Sequence, residues 1–260
     1  MRFTTIGLSA LMLASATPAF AQEDTAPPPA ITINGSATIV TDYRFRGVSQ
    51  SDKRIAVQGG ITVSHESGFY VSAWGSSVSN YVTAAFTGTQ ELDLIAGFKK
   101  TWNGTTFDVG ALYYVYPKTK LAGDNSSSDF IEPYVSVAHT FGPVTAKATA
   151  NYAPKQKALA LDQIGPKEDN LYLAGDLSAA IPGTPIGLTG HLGHTFGPSW
   201  LATDVTGSKG YTDWGLGATV TYKVLTFGVS YVDTDAEFRN FLNGRKVSGG
   251  GVVGSVGVSF

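Results

Sequence analysis

Asp42, Arg44 and Arg46 alternate along one stretch of a sparsely charged chain, and Glu91 with Asp93 repeats the two-residue spacing further on. On a β-strand that spacing puts the members of each set on one face. Asp108, Glu132, Asp176 and Asp213 fall on the polar face of their own segments. Arginines on one wall facing carboxylates on another create a transverse field that orients polar solutes, as charged rings do in selective pores. The inward acids outnumber the inward bases Arg44, Arg46, Arg54, Lys99 and Lys147, which biases the expected field toward cations. The competing reading is a structural or adhesive barrel in which a salt-bridge network plugs and stabilises the interior.

Motifs of bond-making chemistry fail on geometry. Ser64-His65-Glu66 has triad residue types, yet neighbours on a strand project to opposite faces, so Ser64 and His65 cannot share a proton. His191 and His194 are three apart, which likewise separates them and defeats a shared metal. Gly249-x-Gly251-x-x-Gly254 fits a dinucleotide fingerprint in letters, but too little chain follows for the helix and second strand it needs. No cofactor is expected. A lipid-modifying enzyme is the least favoured reading, because none of the four histidines is placed to serve one.

The elements that must position the charges are strands. Period-two alternation runs from residue 31 to the end with no convincing helix, giving about twelve strands. The expected spans are 31–45, 54–64, 69–78, 91–101, 105–116, 128–140, 144–153, 170–180, 185–195, 211–222, 225–234 and 248–260. Trp214, Leu216, Ala218, Val220 and Tyr222 share a face, as do Leu225, Phe227, Val229 and Tyr231, while Asp213, Thr219, Thr226 and Ser230 take the other. The inward glycines Gly60, Gly97, Gly110, Gly193, Gly215 and Gly217 are expected to open space inside.

Connections alternate between tight (66–68, 102–104, 141–143, 182–184, 223–224) and mostly longer (47–53, 79–90, 117–127, 154–169, 196–210, 235–247). Transmembrane barrels have short periplasmic turns and longer external loops. The expected fold is therefore an all-β, antiparallel, up-and-down transmembrane barrel with both termini periplasmic. Ala138-His139-Thr140-Phe141-Gly142-Pro143 and Gly193-His194-Thr195-Phe196-Gly197-Pro198 look like a repeat, but this topology puts them at opposite ends.

Composition agrees. The 260 residues contain no Cys, 31 Gly, 43% hydrophobic and 15% charged residues, with a net charge of −2. That excludes disulfides and thiolate chemistry and argues against nucleic acid, which calls for a basic stripe. Met1-Arg2, the apolar run 6–13 and Ala19-Phe20-Ala21 match a secretory signal over 1–21. Residues 22–30, with Pro27-Pro28-Pro29, are expected to be a flexible tether before a barrel over 31–260.

Particular segments resemble a known family. Thr41-Asp42-Tyr43-Arg44-Phe45-Arg46-Gly47-Val48-Ser49-Gln50-Ser51, His65-Glu66-Ser67-Gly68-Phe69-Tyr70, Glu91-Leu92-Asp93-Leu94, Tyr113-Tyr114-Val115-Tyr116-Pro117, Tyr211-Thr212-Asp213-Trp214 and Tyr231-Val232-Asp233-Thr234-Asp235 are similar in kind and order to the TorF family of porins. The resemblance implies a proteobacterial outer-membrane location and a passive channel for small polar solutes, and supplies no catalytic residues. Phe260, closing an alternating strand, resembles the terminal aromatic that barrel assembly machinery reads. Outer-membrane lipid and that machinery are the expected partners.

Overall fold

The computed structural model describes residues 29–82, 88–117, 119, 128–161 and 165–260. The expected leader, and the tether as far as residue 28, lie outside these residues. Twelve long strands close into one barrel: β1 (Ile31–Val40), β4 (Ala56–His65), β5 (Phe69–Ser77), β6 (Gln90–Trp102), β7 (Thr105–Val115), β8 (Phe130–Phe141), β9 (Val144–Gln156), β10 (Glu168–Ala180), β11 (Ile186–Phe196), β12 (Gly210–Tyr222), β13 (Leu225–Thr234) and β14 (Gly251–Ser259). Two short strands, β2 (Arg44–Phe45) and β3 (Val48–Ser49), pair only with each other. Each long strand is antiparallel to its sequence neighbour, and β1 closes the circle on β14 from Ser36↔Ser259 to Val40↔Ser255.

Closure is what lets such a sheet expose apolar side chains all round without leaving an unpaired edge. Leu216, Tyr222, Phe227, Val229 and Tyr231 point outward and are exposed, while Asp213 and Thr226 are buried inside. Aromatic residues mark both rims of the outer face. Phe69, Trp102, Phe141 and Tyr222 lie at the tight-turn end, and Tyr113, Tyr152, Phe196 and Tyr231 near the loop end, all exposed. This is the placement of interfacial girdles. The apparent repeat supplies one pair to each rim: His139 and Phe141 have ring centroids 4.3 Å apart, as do His194 and Phe196. The strand parity is therefore consistent, and the two motifs do the same job at opposite ends.

The seam is finished by Phe260, whose N–H donates to the Gly35 carbonyl at 3.0 Å and whose carbonyl accepts from the Gly35 N–H at 2.8 Å. Its ring lies over Gly35 on the outer face, where an added Cβ would stand 2.5 Å from Cζ.

The first strand differs from expectation. It ends at Val40 rather than Phe45, and the chain then turns away from the wall. The reason is local: Arg46 and Gly47 both have positive φ, 47° and 79°, and form a two-residue turn of the type that joins tight hairpins. Val48, Ser49, Gln50, Ser51 and Asp52 are buried, so part of the stretch expected as an external loop is packed inside the molecule.

Candidate functional site

The β2–β3 hairpin fixes itself through its own charges before it meets the wall. Asp42 accepts from Arg44 Nε at 2.6 Å and from the Ser49 hydroxyl at 2.5 Å. Arg44 Nη1 donates to the carbonyls of Gly47 at 2.9 Å and Gly249 at 3.0 Å, tying the hairpin to the chain entering β14. At the tip, an added Cβ on Gly47 would stand 2.8 Å from Thr234 Cβ and 2.9 Å from Asp213 Cβ, so glycine is required by space as well as by φ.

Arg46 reaches another part of the wall. Its Nη2 donates to Glu132 Oε1 on β8 at 2.6 Å and its Nη1 to Asn170 Oδ1 on β10 at 2.8 Å. The guanidinium lies over the Tyr172 ring, 4.2 Å from the centroid. Glu132 is fully buried and also accepts from Tyr114 and from Asn151 Nδ2, each at 3.2 Å. On a third side Tyr43 donates to Glu91 Oε1 at 2.7 Å and packs edge-on to Trp74, and Tyr116 donates to Glu91 Oε2 at 2.9 Å. The hairpin is thereby held against β5, β6, β8, β10 and β12 together, which places it across the lumen at the loop end.

The expected transverse field is corrected by this arrangement. Arg44 and Arg46 are not wall groups facing distant carboxylates; each is bonded directly to one. Desolvation favours that outcome, because a buried charge without a partner is costly. Glu91 has only tyrosine partners, and both oxygens of the fully buried Asp93 have no hydrogen-bond partner among the described residues.

Of the other predicted carboxylates, Asp108 and Asp176 lie beyond the hairpin toward the tight turns, and Asp213 stands beside its tip. Asp108 accepts from Tyr70 at 2.9 Å and Tyr134 at 3.3 Å, and those two hydroxyls also bond to each other. Asp176 and Asp213 clasp His191, at 2.7 Å to Nδ1 and 2.9 Å to Nε2. Tyr172 adds a hydrogen bond to Asp213 at 3.1 Å. Lys99 and Lys147 face inward with no ion pair among the described residues. The lumen is thus two-sided: β5 to β11 and the loop end of β12 carry these charges and tyrosines, whereas Gly217, Ser230, Ser255, Ser36 and Gly60 lie on the rest of the wall.

Several inward glycines do not open space as expected. Tyr70 lies across Gly97, where an added Cβ would be 2.7 Å from the ring, and Tyr134 lies across Gly110 at 2.9 Å. These glycines seat aromatic rings against the wall, and the rings take up the lumen width. Sequence reasoning missed Tyr43, Tyr114, Tyr116, Asn151, Asn170, Tyr172 and His191 as partners. For Asn170 and Tyr172 a signal existed, since both share parity with Asp176. Ser64 and His65 do part to opposite faces, and His65 Nδ1 bonds instead to the Ser67 hydroxyl at 2.8 Å.

A closed barrel of twelve strands with an apolar exterior and a charged, partly filled lumen defines the outer-membrane type of β-barrel as a fold class. The chain belongs to a family of bacterial proteins of unknown function designated Gcw_chp, whose model matches residues 23–255; the match does not carry the TorF designation. No curated protein sequence matches. Among solved structures, the NanC porin is similar over 88% of this chain and 99% of its own, with 13% identity and a TM-score of 0.58. A structure from work on in-meso crystallization of membrane proteins is similar over 87% and 83%, with 7% identity and a TM-score of 0.53. At these identities the likeness is one of fold.

Proposed function

We propose that the protein is a porin-like outer-membrane channel for small polar solutes, constricted at its external mouth by the β2–β3 hairpin. The observation that carries this reading is the hairpin inside a lumen whose wall on β1, β4, β13 and β14 is, below the hairpin, mostly small polar residues and Gly, such as Ser36, Gly60, Ser230 and Ser255, which leave space that large side chains would fill. The aromatic girdles and the TorF resemblance support an outer-membrane setting with tight turns and termini in the periplasm. The inward acids, which outnumber the inward bases along the chain, support a weak cation preference. Liposome swelling with graded sugars tests the channel, and planar bilayers at low salt test its preference. Uptake limited to the smallest sugars with a reversal potential on the cation side is expected; no swelling and no conductance would reject it.

A second reading, a structural barrel with a plugged lumen, is favoured by the Arg46–Glu132 pair, which holds the hairpin in place. Twelve strands lie between barrels of eight, filled by side chains, and those of sixteen, which leave a channel. Swelling assays separate the two.

Phe260 we take as the assembly signal, supported by its place on the outer face of the closing strand. Phe260→Ser is expected to reduce heat-modifiable barrel in outer-membrane fractions several-fold with export intact; equal assembly would contradict that role.

A further inference from the structure

At the long-loop rim, residues 52–55, past the hairpin, meet the loop 235–250 in a patch that the channel reading does not use. Its keystone is Asp52, itself 2% exposed. Its carboxylate accepts from Asn243 Nδ2 at 3.1 Å and stands 3.5 Å from Arg245 and 3.7 Å from Arg54. The Asp52 carbonyl accepts from Arg245 Nη1 at 2.8 Å. Arg239 is bridged through its backbone to Lys246 and paired with Glu237 at 2.6 Å. Lys53 is close enough to Lys246 that both line the space beside Gly249.

Lys53, Arg54, Arg239, Arg245 and Lys246 are all exposed, whereas Asp52 is buried beneath them. On a chain of net charge −2 this is a local excess of positive charge facing outward. The excess is felt by its own members: partial burial, then Arg44, and after the opposing pull of Asp42 also Arg245 and Lys246, hold the Lys53 ammonium below its ordinary pKa. Phe241 and Leu242 project from the tip of the second loop, exposed at 74% and 53%. Below, Ile55 and Val57 carry the exposed apolar surface onto the outer face of β4.

Cations above an apolar wall fit an amphiphile better than a soluble polyanion, which would leave Phe241, Leu242 and Ile55 in water. We propose that this patch binds the phosphate groups of an anionic lipid in the outer leaflet, with its acyl chains along the β1–β4 wall. The inference rests on the membrane orientation proposed above.

The test uses the full barrel refolded in detergent, and the triple variant Lys53→Ser, Arg239→Ser, Lys246→Ser, which leaves the hairpin charges and Asp52 with its partners Asn243 and Arg245 in place. The probes are diphosphorylated lipid A, the same lipid dephosphorylated, and inorganic phosphate; the readout is the unfolding temperature followed by heat-modifiable migration. Diphosphorylated lipid A should raise the native unfolding temperature, with neither control doing so. At roughly fivefold per cation removed, the triple variant should need about a hundredfold more lipid for the same shift. An equal shift in the variant, or the same shift with inorganic phosphate, would overturn the proposal. Conductance measured on the same preparations keeps the readings apart: a lipid shift without conductance would reject the channel and leave the patch.

Discussion

Arg46→Ala is expected to destabilise the barrel by about 3–5 kcal/mol, the cost of stranding one member of a buried ion pair. Glu132 would keep Tyr114 and Asn151 but lose its counter-charge in a site it cannot leave, since it is 0% exposed. Asn170 Oδ1 would lose its closer donor at the same time, keeping the Thr195 hydroxyl at 3.3 Å, and the Tyr172 ring the cation above it. The double variant Arg46→Ala, Glu132→Ala should recover part of the loss, because it removes the stranded charge. The exposed pair Arg239–Glu237 is the control, and breaking it should cost only about 0–1 kcal/mol. Urea unfolding followed by tryptophan fluorescence measures all of these. A cost for Arg46→Ala no greater than that of the exposed pair would show that the hairpin is not held from its tip.

Gly47→Val attacks the same element through the backbone. A β-branched residue at φ 79° carries a strain of about 1–2 kcal/mol, and its Cβ would also run into Thr234 and Asp213. Overpacking of that kind adds about 1–3 kcal/mol, so the whole effect should approach 3 kcal/mol or more. Gly142→Val separates the two contributions. Gly142 also has a positive φ, 60°, but nothing lies within 4 Å of an added Cβ, so it should show the strain alone. Equal unfolding midpoints for the two variants would mean that the hairpin tip is not lodged against β12 and β13.

The barrel was legible because its signals are local. Alternation placed the polar and apolar faces of β12 and β13, and the spacing of turns gave the alternation of short and long connections. The strand from Leu225 to Thr234 was read to its ends, since a tight turn and an aspartate-rich loop bound it. The hairpin was not legible in this way. Thr41 to Phe45 keeps the period-two pattern of β1, and nothing in that pattern says that the chain leaves the wall after Val40. The available cue was Arg46-Gly47 between Phe45 and Val48, a turn-type dipeptide between short apolar flanks. The candidate carboxylates were found by parity, which assigns a face but not a partner. Pairing Arg46 with Glu132 depends on a separation of 86 positions bridged only by the closed fold. Glycine was misread for a related reason: Gly97 makes room, and Tyr70 from the adjacent strand fills it.

The account rests on the hairpin being what narrows the lumen, and single-channel conductance tests that most directly. Native barrel, Arg46→Ala and Gly47→Val should be recorded side by side after heat-modifiable migration has shown each to be folded. Small native openings are expected, with several-fold larger and noisier openings in both variants as the hairpin comes free of β8, β10 and β12. Folded variants with the native conductance, or a native barrel already as wide as the variants, would contradict it.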